Sequence, residues 1–96
     1  MHAMIRRYDG VTGSSDDLMR FGRREAAALS EIPGFVSYAL LEAGGSVLMA
    51  VCIFETQAAL EAAERLDVFG VDEPPATLAS LLSQVARGEV IVQRGM

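Results

Sequence analysis

The chain has 96 residues, 51% of them hydrophobic, and thirteen acids against eight basic groups give a net charge of −5, which fits one domain with one modest core. All eight basic residues are arginines scattered along the sequence, which argues against a polyanionic partner such as nucleic acid and excludes lysine nucleophiles. One Cys and one His cannot make a Cys/His metal cluster or an internal disulfide, and the longest apolar run has eight residues, Val47 to Phe54, against about 20 for a membrane-spanning helix.

The opening MHAMIRRYDG has no apolar core of a secretory signal, so a cytoplasmic location is expected. Arg without Lys, with abundant Ala and Gly, fits a GC-rich bacterial genome. Residues 2–9 read as a strand with Met4, Arg6 and Tyr8 on one face and Ala3, Ile5 and Arg7 on the other. GVTGSS is a turn in which Ser14 or Ser15 can cap a helix carrying Asp16 and Asp17 in its first turn. Leu18, Phe21, Glu25 or Ala28, Leu29 and Ile32 recur at helical spacing until Pro33-Gly34 ends the helix.

Residues 35–43 form the second expected strand, and Gly44-Gly45 turns it into the third, 46–54. Thr56 can cap a second helix over 57–69, with Leu60, Ala63 and Leu66 as its apolar stripe. GVDEPP, with Asp72 and Glu73, is a solvated loop that Pro74-Pro75 keeps non-helical. Residues 76–86 read as a third helix or linker, and 88–94 as the last strand.

This order predicts an α+β, ferredoxin-like split β-α-β sandwich over residues 1–96, a single domain. Strands one and three lie central in a four-stranded antiparallel sheet with helices on one face. The other face then shows Val47, Met49, Val51 and Ile53 of the third strand. Covering that strip is worth several kcal/mol at about 25 cal/mol per Å². A second copy placed on it by a twofold axis is the expected solution, so a homodimer through the sheet face is predicted.

EIPGF (Glu31–Phe35) ahead of the second strand and IFET (Ile53–Thr56) leading into the second helix complete the pattern. With that element order, the sequence resembles the antibiotic biosynthesis monooxygenase-like proteins of the dimeric α/β-barrel superfamily. The resemblance spans nearly the whole chain. It implies a dimeric α/β barrel, a ligand cavity between sheet and helices in each subunit, and no cofactor. Members include cofactor-free monooxygenases acting on polycyclic phenols and haem-degrading enzymes. The monooxygenase pattern puts Asn, Trp and Tyr where this chain has Ala50, Phe54 and Leu60. The haem-degrading pattern needs Asn, Trp and a His on the second helix. This chain has no Asn and no Trp, its one His is His2, and Arg6 stands about where the first-strand Asn would be.

The same overlay turns Leu48, Ala50, Cys52 and Phe54 toward the cavity. The pocket candidates are therefore Arg6, Tyr8, Ala50, Phe54 and Leu60. Arg6 is read either as a clamp for a carboxylate or phenolate or as half of a structural ion pair, since a buried charge needs a partner. Tyr8 offers a hydroxyl to a substrate oxygen or serves as core. Tyr38, out of phase with Phe35, is expected on the dimer face, with Arg7. Cys52 reads as a small hydrophobe, His2 as a strand-end residue, and Gly22 as a point of close helix packing or room for a ligand. Two functions stay open. One is a cofactor-independent monooxygenase-like enzyme on a small hydrophobic or aromatic substrate. The other is a non-catalytic dimeric small-molecule-binding or diverged structural protein.

Overall fold

The computed structural model describes residues 1–11, 14–65, 82–91 and 94. Its elements run β1 (His2–Tyr8), α1 (Ser15–Ser30), β2 (Phe35–Gly44), β3 (Val47–Phe54), α2 (Gln57–Arg65) and β4 (Leu82–Glu89). The strands form an antiparallel sheet in the order β2-β3-β1-β4, which puts the first and third strands at the centre. This is the expected ferredoxin-like arrangement.

Local chemistry sets the boundaries. The Ser14 hydroxyl accepts from the Asp17 amide at 3.1 Å and starts α1, and Thr56 does the same for the Ala59 amide at 3.1 Å at the head of α2. Between α1 and β2, Gly34 adopts φ +96°, and a Cβ there would lie 3.0 Å from the Ala59 Cβ. Its carbonyl accepts from the Glu55 amide at 2.7 Å. The PGF and FET signals are thus two halves of one junction, where the start of β2 is tied to the end of β3.

The sheet faces are as the alternation predicts on β1 and β3. Met4, Arg6, Tyr8, Leu48, Ala50, Cys52 and Phe54 are buried beneath the helices. Val47, Met49, Val51 and Ile53 lie half-buried on the opposite face. Two apolar clusters fill the interior. Met4, Leu29, Cys52, Phe54, Ala59, Leu60 and Ala63 form one, with Phe35 packed edge-on against Phe54 at 5.9 Å between ring centroids. Tyr8, Phe21 and Leu48 form the other.

Two expectations are corrected. Residues 82–86, read from their composition as helix or linker, belong to β4, and the last strand is Leu82–Glu89 rather than 88–94. β1 has two edges, β3 satisfies one, and pairing of His2 with Glu89 through Tyr8 with Leu82 satisfies the other. Tertiary pairing overrides the helical preference of this stretch. Beyond β4, the Val90 amide still donates to the Met1 carbonyl at 2.8 Å, while Ile91 stands exposed.

The second correction is Tyr38. The β2–β3 register shifts between Phe35 and Ser37, so Phe35 opposes Phe54 and Tyr38 opposes Cys52. This bulge at Val36 adds one residue and puts both rings on the helix side. The expected tail of the second helix at 66–69, the loop 70–75 and the expected helix at 76–81 lie outside the described residues, as do 92 and 93 of the expected last strand.

Candidate functional site

The chemistry of the interior begins with one stripe of α1. Phe21, Glu25 and Leu29 follow each other at four-residue spacing and are all buried. A carboxylate thereby sits between two hydrophobes on the face turned to the sheet. Arg6 comes up from β1 to meet it: Nη2 is 3.1 Å from Glu25 Oε1, with side-chain exposures of 4% and 0%. Tyr38 approaches from β2, and its hydroxyl donates a short hydrogen bond to the same Oε1. Oε2 is buried with no hydrogen-bond partner among the described residues.

Burial raises the Glu25 carboxyl above the ordinary carboxylate range; Arg6 and the Tyr38 hydrogen bond oppose this without cancelling it. Burial also raises the Tyr38 phenol beyond the usual tyrosine range, and the facing Glu25 charge adds to the effect. Tyr8 is pushed up to about 12, mainly by burial. Tyr38 and Tyr8 therefore stay neutral, and Glu25 is the titrating member of the group.

Arg6, Tyr8, Ala50, Phe54 and Leu60 all lie in the sheet–helix interior, each nearly inaccessible to solvent. Along β3, Cys52 and Phe54 belong to one cluster and Leu48 to the other, with Ala50, opposite Arg6, at the level between. Arg6 is thus one side of an ion pair. It borders a cavity of about 160 Å³ with Met4, Leu29, Ala63, Glu64, Val85 and Arg87. Cys52 is buried with its thiol raised by burial, and its Sγ lies 3.8 Å from the Met4 carbonyl as a weak donor. It packs as a small hydrophobe. Among the described residues no cluster of His, Cys, Asp and Glu could hold a metal ion.

The larger opening is elsewhere. A groove of about 560 Å³ runs between α1 and the β2–β3 hairpin, walled by Leu18, Gly22, Ala26, Leu40 and Leu48, with Tyr38 among its lining residues. Arg23 and Glu42 also line it. At Gly22 the helix comes so close to β2 that a Cβ would lie 2.9 Å from Leu40 Cδ2. The groove is apolar in its walls, and Tyr38 links it to Glu25 and Arg6.

Sequence reasoning placed Arg6 correctly and included Glu25 as one option in the α1 stripe, but did not join them. An acid in an apolar stripe and a base on a covered strand face are complementary signals. Tyr38 was misplaced because the bulge has no local signature in FVSYALLEA.

A four-stranded antiparallel sheet in this order, with its helices on one side, is a ferredoxin-like α+β fold, as the sequence pattern predicts. Solved structures bear this out. SnoaB, a cofactor-independent oxygenase from Streptomyces nogalater solved as a point mutant, superposes with a TM-score of 0.72 at 18% identity, over 96% of this chain and 94% of that one. The heme-degrader MhuD from Mycobacterium tuberculosis, with two hemes bound in its active site, gives 0.69 at 19% identity over 99% and 100%. A protein of unknown function from Nitrosomonas europaea gives 0.74 at 18% identity over 99% and 93%. No protein-family model matches the sequence, and no curated protein matches it significantly.

Proposed function

We propose that this chain is a cofactor-independent, monooxygenase-like member of the antibiotic biosynthesis monooxygenase type. It takes up a small hydrophobic or aromatic molecule and works as a homodimer of single-domain subunits. The observation that carries this reading is the groove of about 560 Å³ between α1 and the β2–β3 hairpin, apolar in its walls and bordered by a tyrosine bonded to a buried carboxylate. The fold shared with SnoaB supports the reaction class.

Ala50, Phe54 and Leu60 carry no polar side-chain group, so the resembled family's Asn, Trp and Tyr chemistry has no counterpart at those positions. The carboxylates nearest the groove are Glu42, in its lining, and Glu25, bonded to the lining residue Tyr38. For an electron-rich anthrone, the balanced reaction is conversion of the ring methylene to a carbonyl by dioxygen, with water as the co-product. The packing of Phe54 and Leu60 into the core supports a second reading, a binding protein without turnover.

One experiment separates them: dithranol incubated with the protein under air and under argon, with oxygen uptake and ligand binding both measured. Protein-dependent oxygen uptake supports the monooxygenase reading. Binding without uptake supports the binding module. An Ala26→Trp variant, which fills the groove, should abolish either signal; unaltered binding in that variant would sink the groove assignment.

A further inference from the structure

The groove between α1 and the hairpin continues past its own walls. Leu18, Glu42 and Leu48 line it and also line a second cavity of about 400 Å³, which Val11 and the turn residues 44–47 complete. The Val11 amide donates to the Ser46 carbonyl at 2.9 Å, so the segment after β1 is tied to the hairpin turn at the far side of this second lobe. A Cβ added at Gly44 or Gly45 would meet nothing within 4 Å, which leaves the space beside the turn open.

The two lobes differ in character. Aliphatic side chains and Gly22 dominate the first, whereas Glu42 is the one charged residue among the described lining of the second. Glu42 stands opposite Leu48 across the β2–β3 ladder, and residues opposite each other on antiparallel strands share a face. Leu48 is buried beneath the helices, so Glu42 projects on the cavity side, where it is exposed at the junction of the lobes. Arg23 borders the first lobe only, and among the described residues no ion pair joins it to Glu42.

We propose that the two lobes form one site for an amphiphilic amine, an assignment that rests on the groove reading above. The hydrophobic body of the ligand lies in the groove, and its ammonium group meets Glu42 where the lobes join. Burial of the apolar body supplies affinity, and the charge at the junction supplies orientation. A carboxylate in the same place would face a like charge, and the net charge of −5 acts in the same sense. A neutral hydroxyl keeps a hydrogen bond to Glu42 and forgoes the attraction between opposite charges.

The probes are decylammonium, decan-1-ol and decanoate, titrated against the whole protein at neutral pH by calorimetry, with backbone amide signals followed by NMR. The wild type should hold decylammonium about fivefold more tightly than decanoate, with the alcohol between them. Decylammonium should also move the amide signals of Gly44, Gly45 and Ser46. Glu42→Lys should reverse the order of the two charged probes. Glu31→Lys, the same change of charge at the C-terminal end of α1, should preserve it. Decanoate held as tightly as decylammonium by the wild type, or an unreversed order in Glu42→Lys, overturns the amine assignment; the groove still stands if Ala26→Trp abolishes that binding. No binding of any probe to the wild type overturns both.

Discussion

Glu25 and Arg6 form a buried pair that does not settle its own electrostatics. Nη2 lies 3.1 Å from Oε1, and both side chains are almost wholly removed from water. Desolvation therefore outweighs the attraction, and the carboxyl ends above its ordinary value of 4.5. A raised carboxyl binds more protons folded than unfolded. Its contribution to stability is fully present below pH 4.5 and is lost as the pH rises through the elevated folded pKa. The stability of the wild type relative to Glu25→Gln should thus decline with rising pH, as read by urea unfolding at a series of pH values; a rising difference would show the carboxyl to be lowered instead. Arg6→Met should cost about 3 kcal/mol at neutral pH, since it leaves a buried carboxylate without its counter-charge. Adding Glu25→Leu to Arg6→Met should recover most of that loss. If the double variant were as unstable as Arg6→Met alone, the pair would not be the source of the effect.

At the scale of elements, the β2–β3 hairpin shows what a short sequence can and cannot reveal. Gly44-Gly45 announced the turn, but the turn itself is Gly45-Ser46, with φ of +59° and +65° at its two central residues. Left-handed backbone at both positions matches the twist of the strands and is cheap for glycine only. Ser46→Gly should therefore stabilise the fold by about 0.5–1 kcal/mol, with the midpoint of thermal unfolding as the readout; an unchanged or lower midpoint would place the strain elsewhere. Thr56→Ala should cost about 1 kcal/mol through the lost cap of α2. Strand order, both caps and the two faces of β1 and β3 were legible because each rests on local pattern: alternation, a hydroxyl before a helix, an apolar central strand. The bulge at Val36 and the true span of β4 were not. Both are set by what lies across the sheet, by Phe54 and Cys52 opposite β2 and by the open edge of β1. The Arg6–Glu25 contact was half legible, since each partner betrayed itself but nothing in sequence joins them.

At the scale of the whole molecule, the described helices cover one side of the sheet, and among the described residues the other side carries an apolar patch. Val47, Met49, Val51 and Ile53 run down its centre, flanked by Ile5 and Leu41, which are 37% and 43% exposed. Arg7 shares that face through its pairing with Met49. Contiguous apolar surface of more than a few hundred Å² is uncommon on a monomeric domain, and self-association about a twofold axis would bury this face at both copies at once. The proposed homodimer therefore has a simple test in light scattering at two concentrations. The wild type should run at twice the 10.3 kDa chain mass at both. Val51→Glu, placed at the centre of the patch, should run at the single-chain mass at the lower concentration, because a charge buried in an apolar contact opposes it. Glu at Arg20, on the far side of the molecule on exposed α1, should leave the mass unchanged. A wild type that runs at the single-chain mass at both concentrations would leave the patch in water, and the barrel implied by the resemblance would not form from this chain alone.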